Sequence, residues 1–123
     1  MSSQQQWEAL FQKWFGRLVA DPGWSVHIVG DEHLETPASY TVIRPHREVV
    51  FRYRASHAPS NVIACHEVCH LFLGEMQRWA DHCFEELPDP ARRLAHKGMS
   101  DALEQAADDL ARAFLRAYGE HDG

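Results

Sequence analysis

The residues with the clearest chemical potential form a five-residue string, His66-Glu67-Val68-Cys69-His70, inside the stretch ASHAPSNVIACHEVCHLFLGEM (55–76). On an α-helix His66 and His70 share one face, about 6 Å apart along the axis, so both imidazoles can converge on one cation. Glu67 projects beside them rather than between them. That offset suits a carboxylate that takes a proton from a metal-activated water without becoming a ligand itself, and zinc is the ion such a set usually serves. A string this short arises by chance in roughly one random arrangement in twenty, so the pattern needs a third ligand to carry weight. The competing reading is a pair of histidines on a helix packed against a sheet. Burying two neutral imidazoles and a carboxyl without partners is costly, and a metal would remove that cost.

The last helical stretch, beginning near Ser100, supplies the third ligand. Leu103, Ala107, Leu110, Phe114 and Tyr118 make its apolar stripe, and Glu104, Asp108, Ala111 and Leu115 run alongside at the same spacing. Glu104 is assigned to the metal. Asp108 is assigned to the outward ring nitrogen of a ligand histidine, where it would fix tautomer and orientation. Glu75, His82, Glu85, His96 and Asp109 are the other candidates. Glu75 stands five residues past His70, which turns it far from the histidine pair; His82 and His96 stay open. Two histidines and a carboxylate also suit divalent ions other than zinc. Cys65 and Cys69 each lie about a hundred degrees round the helix from the neighbouring histidine and read as small buried hydrophobes.

Positioning these groups requires a particular order of elements. Trp7, Leu10, Phe11, Trp14, Phe15, Leu18 and Val19 recur at steps of three and four, which predicts an amphipathic helix over 4–19, stopped at Asp21-Pro22-Gly23. WSVHIVG (24–30), YTVIR (40–44) and REVVFRYR (47–54) read as strands, the last two joined as a hairpin through Pro45-His46-Arg47. Pro59-Ser60 begins a helix whose segment 62–73 is apolar nearly all round, so it is expected to be buried. Leu87-Pro88-Asp89-Pro90 breaks the helical run that follows. A short turn over 91–96, a break at Gly98 and an N-cap at Ser100 then lead into a final helix ending near Tyr118-Gly119. The expected class is α+β.

Composition bounds the remaining possibilities. The 123 residues, 45% hydrophobic and 24% charged, suffice for one core and predict a single domain over 1–123. A net charge of −6 gives no footprint for nucleic acid, and the run Arg44, Arg47, Arg52, Arg54 reads as a solvated strand face. The N-terminal stretch MSSQQQWEALFQKWF has no cationic region followed by an apolar one, and no apolar run matches a membrane span. Cys65, Cys69 and Cys83 form no disulfide framework, which suits a reducing compartment. A cytoplasmic protein is expected.

HEVCHLFLGEM, followed by Glu104-Gln-Ala-Ala-Asp108-Asp-Leu-Ala-Arg-Ala-Phe-Leu, resembles the gluzincin metallopeptidases. Their pattern is HExxH plus a downstream Glu with an acidic or amide residue four positions on. The small ImmA/IrrE-type regulatory metalloproteases and the minimal single-domain gluzincins look most similar. The resemblance covers residues 62–76 and 103–115 in motif and the rest in element order. It implies a zincin-like fold with an N-terminal helix, a small mixed sheet of about three strands, a buried active-site helix and a C-terminal helix that carries the third ligand. It further implies that His66, His70 and Glu104 bind Zn2+, that Glu67 activates the water, and that Asp108 supports a ligand histidine. The substrate would be a protein or peptide, aligned in extended form along the strand REVVFRYR as a sheet edge.

No residue stands out as the donor that stabilises the oxyanion; His46, His57, Tyr53, His96 and Arg54 are candidates. Two other functions compete with peptide hydrolysis. One is a zincin-like domain that binds zinc as a regulatory or interaction module, latent until a partner opens it. The other is a metal-free α+β module in which HEVCH is coincidence.

Overall fold

The computed structural model describes residues 1–19 and 22–121. Helix α1 (Ser3–Leu18) starts at a capping box in which the Ser2 hydroxyl accepts from the Gln5 backbone and the Gln5 side chain accepts from Ser2 N–H. Its buried positions Trp7, Phe11 and Trp14 lie on one side. Strands β1 (Ser25–Gly30), β2 (Ala38–Ile43) and β3 (Glu48–Tyr53) follow, then helices α2 (Asn61–Phe84) and α3 (Asp89–Ala117). This is the expected α+β order, with a three-stranded mixed sheet. Among the described residues no helix is long and apolar enough to cross a membrane.

The sheet order is β1-β3-β2, with β1 parallel and β2 antiparallel to β3. The hairpin between β2 and β3 forms as expected, with Ile43 opposite Glu48 and a cis Arg44–Pro45 bond in its turn. Alternation along β3 sends Val49, Phe51 and Tyr53 into the core. There Phe51 stacks on Phe11 at 4.9 Å and Tyr53 on Trp7 at 6.1 Å. One expectation is overturned here. REVVFRYR is the central strand, paired on both sides, so it offers no edge to an added peptide; β2 is an edge strand instead.

Helix α2 is capped by Ser60, whose hydroxyl accepts from Ile63 N–H. Its first half is central: Ala64, Cys65, Val68 and Cys69 are fully buried, so the two thiols do behave as core residues. Helix α3 lies against it through Leu103, Ala107, Ala111 and Leu115. The expected stripe over Leu110, Phe114 and Tyr118 is therefore rotated. Tyr118 is exposed, and Ala111 and Leu115 take the inward line that continues from Glu104 and Asp108.

Helix α3 also runs unbroken through Gly98, and Ser100 lies inside it rather than at its cap. A glycine costs a helix about 1 kcal/mol, which the packing of α3 on α2 through Ala107, Ala111 and Leu115 outweighs. The expected break at Leu87-Pro88-Asp89-Pro90 does separate α2 from α3, with Pro88 at the N-cap position.

The chain end locks the start of α2. Asn61 is buried; its Oδ1 accepts from Trp14 Nε1 (2.6 Å), and its Nδ2 donates to Glu120 (2.9 Å) and to the His121 carbonyl (3.0 Å). Glu120 also pairs with Lys13 (3.1 Å) and Arg17 (3.0 Å). Hydrogen bonds from Asn61, Lys13 and Arg17 hold the Glu120 carboxyl at about 2, against an ordinary 4.5.

Two outcomes test this description. An added Cβ at Gly98 meets nothing within 4 Å. Gly98→Ala should accordingly raise stability in urea unfolding by about 0.5–1 kcal/mol, whereas a helix break at that position would make it destabilising. Because the folded-state pKa of Glu120 is depressed, its stabilisation is present above pH 4.5 and is lost as the pH falls towards about 2. Urea midpoints of Glu120→Gln should fall less steeply than wild type across that window.

Candidate metal centre

Helix α2 delivers His66 and His70 on one face, one turn apart, and α3 delivers Glu104 opposite them. His66 Nε2 and His70 Nε2 are 3.2 Å apart. The Glu104 carboxylate spans both, with Oε2 at 3.1 Å from His66 Nε2 and Oε1 at 2.9 Å from His70 Nε2. Among the described residues this is the one group of three or more His, Cys, Asp or Glu whose ligand atoms converge closely enough for a metal ion.

The spacing can be compared with what zinc requires. Two ligand atoms bound at about 2.0–2.1 Å and at the tetrahedral angle stand about 3.3–3.4 Å apart, close to the 3.2 Å between the two Nε2 atoms, with one Glu104 oxygen beside each of them. Without a cation the two imidazoles can meet the carboxylate only as Nε2–H donors. Two N–H groups then face each other 3.2 Å apart with no bond between them. A cation uses all three lone pairs instead, and the donor set fits Zn2+.

Electrostatics point the same way. Burial pushes the His70 imidazole below its usual range, more than Glu104 raises it, so the ring is neutral and presents a lone pair. Burial, and then the Glu104 carboxylate nearby, push the Glu67 carboxyl up to about 8. Two carboxyl groups thus share one small space in which a positive charge would be stabilised.

His66, Glu67, Glu104 and Asp108 line an open cleft of about 510 Å³, walled by residues 36–40 of β2 and its approach and by Val62 and Ile63 of α2. Asp108 lies on the outward side of His66, with Oδ1 3.9 Å from its Nδ1, which is too long for a hydrogen bond. Its other oxygen accepts from Arg112 Nε at 3.1 Å. The alternative ligands are engaged elsewhere. Glu75 pairs with Arg44 (2.9 Å), His82 with Glu85 (3.8 Å) and His96 with Asp81 (3.0 Å), while Asp109 accepts from Gln105 (3.0 Å).

None of the five expected oxyanion donors lines the cleft. Tyr53 donates to Glu8 (3.2 Å), His57 turns Nδ1 to the Ala58 carbonyl (2.8 Å), and His96 sits at the far end of α2 with Asp81. His46 is in the β2–β3 turn, and Arg54 has a buried Nε without a partner. Two residues that sequence reasoning passed over do line it, Tyr40 and Arg112. Arg112 continues the series Glu104, Asp108 by one more turn, a signal present in the sequence. Tyr40 is reachable only once β2 is known to be the strand beside α2.

Wild-type protein purified without added metal and then offered Zn2+ should bind about one ion per chain by elemental analysis. His70→Ala and Glu104→Ala should each lower that content at least about tenfold, since each removes a direct ligand. Glu67→Gln should leave it intact.

Comparison of the chain with protein-family models, with curated proteins and with solved structures gave no match. The chemistry of this site rests on its own residues.

Proposed function

We propose that this chain is a zinc-dependent peptide hydrolase with a zincin-like fold and a gluzincin-type ligand set of His66, His70 and Glu104. The observation that carries the reading is the convergence of two Nε2 atoms and one carboxylate within 2.9–3.2 Å of one another, beside a fourth group, Glu67, that is held close but is not part of the triangle. Zinc bound there would lower the pKa of a water and polarise a carbonyl.

The chain's own residues supply the rest. Glu67 accepts the proton of the attacking water as oxygen adds to the peptide carbonyl carbon. It then passes that proton to the amine nitrogen as the C–N bond breaks. Glu67 lines the same cleft as His66 and Glu104 without belonging to the ligand triad, the placement such a proton carrier needs. Asp108 stands outside the ligand set, on the outward side of His66 and salt-bridged to Arg112.

A peptide substrate is supported by the cleft wall. Residues 38–40 belong to β2, which is paired only with β3 among the described residues, so an extended peptide can add to the open edge through main-chain hydrogen bonds. Pro37, Ala38, Val62 and Ile63 give the cleft an apolar side for a neighbouring substrate side chain.

Zinc-loaded protein should cleave members of a quenched fluorescent peptide library, lose that activity with chelator and regain it with Zn2+. Glu67→Gln should keep its zinc and lose at least about a hundredfold in kcat, the scale of a positioned general base. Full activity in that variant would remove Glu67 from the mechanism.

A further inference from the structure

Hydrolysis of a peptide bond creates a negative oxygen, and a hydrogen-bond donor must meet it in the cleft. Glu67, Glu104 and Asp108 are acceptors when ionised, and the two histidines turn Nε2 to the ligand triangle. That leaves the hydroxyls of Thr36, Ser39 and Tyr40 and the guanidinium of Arg112 along the wall. Thr36 already donates to the Ala38 carbonyl at 2.8 Å. Ser39 follows the alternation of β2 to the sheet face opposite Tyr40. Arg112 is held through Nε by Asp108, a turn of α3 beyond Glu104.

Tyr40 differs from all of these in its tie to the ligand set. Its ring lies on the His70 imidazole, with centroids 4.8 Å apart and planes 11° from parallel, so a ligand histidine fixes the orientation of the phenol. Tyr40 lines the same cleft as Glu67 and Glu104, and a phenol hydroxyl there can donate. Among the described residues that hydroxyl makes no hydrogen bond, and it is not sealed from solvent.

We propose that Tyr40, on the edge strand β2, is a catalytic residue whose hydroxyl donates a hydrogen bond to the oxygen that becomes negative when water adds to the peptide carbonyl. This inference rests on the hydrolase reading above. The phenol transfers no proton; it stabilises charge in the transition state while Glu67 handles the proton. The bland role for Tyr40 is that of a flat spacer holding His70 by stacking, and Tyr40→Phe separates the two because it keeps the ring and removes the oxygen.

The test compares wild type, Tyr40→Phe and Tyr40→Leu by zinc content, melting temperature, cleavage of the peptide library's best member and calorimetric affinity for an N-phosphoryl-leucyl peptide, a tetrahedral anionic mimic. Tyr40→Phe should keep wild-type zinc content and melting temperature. Its kcat should fall about 100-fold or more with KM within about threefold, and its affinity for the phosphoryl peptide should weaken by a comparable factor. A Tyr40→Phe protein whose kcat and phosphoryl-peptide affinity stay within about threefold of wild type would overturn the inference and leave the hydrolase reading standing. Loss of zinc in Tyr40→Leu but not in Tyr40→Phe, with no change in the kinetics of the latter, would confine Tyr40 to stacking. Zinc-loaded wild type that neither cleaves the library nor binds the phosphoryl peptide would overturn the hydrolase reading, and this inference with it.

Discussion

The close approach of α2 and α3 is the constraint on which the candidate site depends. Two helices pack 8–10 Å apart according to the side chains between them, and here those side chains are small. Ala64, Cys65 and Cys69 on α2 and Ala107 and Ala111 on α3 are all fully buried. Cys65 Sγ comes within 3.9 Å of the Ala111 carbonyl, so side chain meets backbone with no layer between. This proximity lets a side chain as short as glutamate reach two imidazoles on the neighbouring helix. Hydrogen bonding with Cys69 and burial push the Cys65 thiol up, so that this sulfur acts as packing and not as a nucleophile.

The second organising feature is an excess of acceptors in a confined space. Glu104 meets both histidines, Glu67 lies near enough for Glu104 to raise its proton affinity, and Asp108 flanks His66. Such a cluster adds little stability in the absence of a cation, since Glu104 and Asp108 are solvent-accessible and their pairings are screened by water. Sites where local chemistry opposes stability are where function is usually found. The opposite end of α2 shows no such tension: Glu75 has Arg44 and Arg78, and Asp81 has His96, in ordinary surface pairs.

Much of this arrangement was legible in the residues, and what was not has a physical reason. The four-residue step from His66 to His70 fixes a shared helical face wherever the helix lies, and the acidic positions of α3 follow its inward line by the same rule. Strand order is different in kind. WSVHIVG, YTVIR and REVVFRYR have similar strand character, and nothing in them says that the third will sit between the first two. That depends on Val49, Phe51 and Tyr53 finding α1, a tertiary event. The edge strand was therefore misassigned, and Tyr40 was missed as part of the site. Gly98 misled for a related reason, because the local preference of one residue was outweighed by contacts distant in sequence.

The ligand atoms and the cleft wall belong to segments with different histories in the chain. His66, His70 and Glu104 all lie within the α2–α3 hairpin, with the first and last of them 38 positions apart in sequence. Tyr40 reaches His70 from the sheet, through the pairing of β2 with β3 and the packing of β2 beside α2. Both closures span a few tens of residues, and because loop entropy grows only slowly with length they cost the chain similar amounts. The candidate ligand atoms are thus positioned by the α2–α3 hairpin, and the wall of the cleft by the separate docking of the sheet. Loosening the sheet alone would therefore open the cleft wall while leaving the three candidate ligand atoms together.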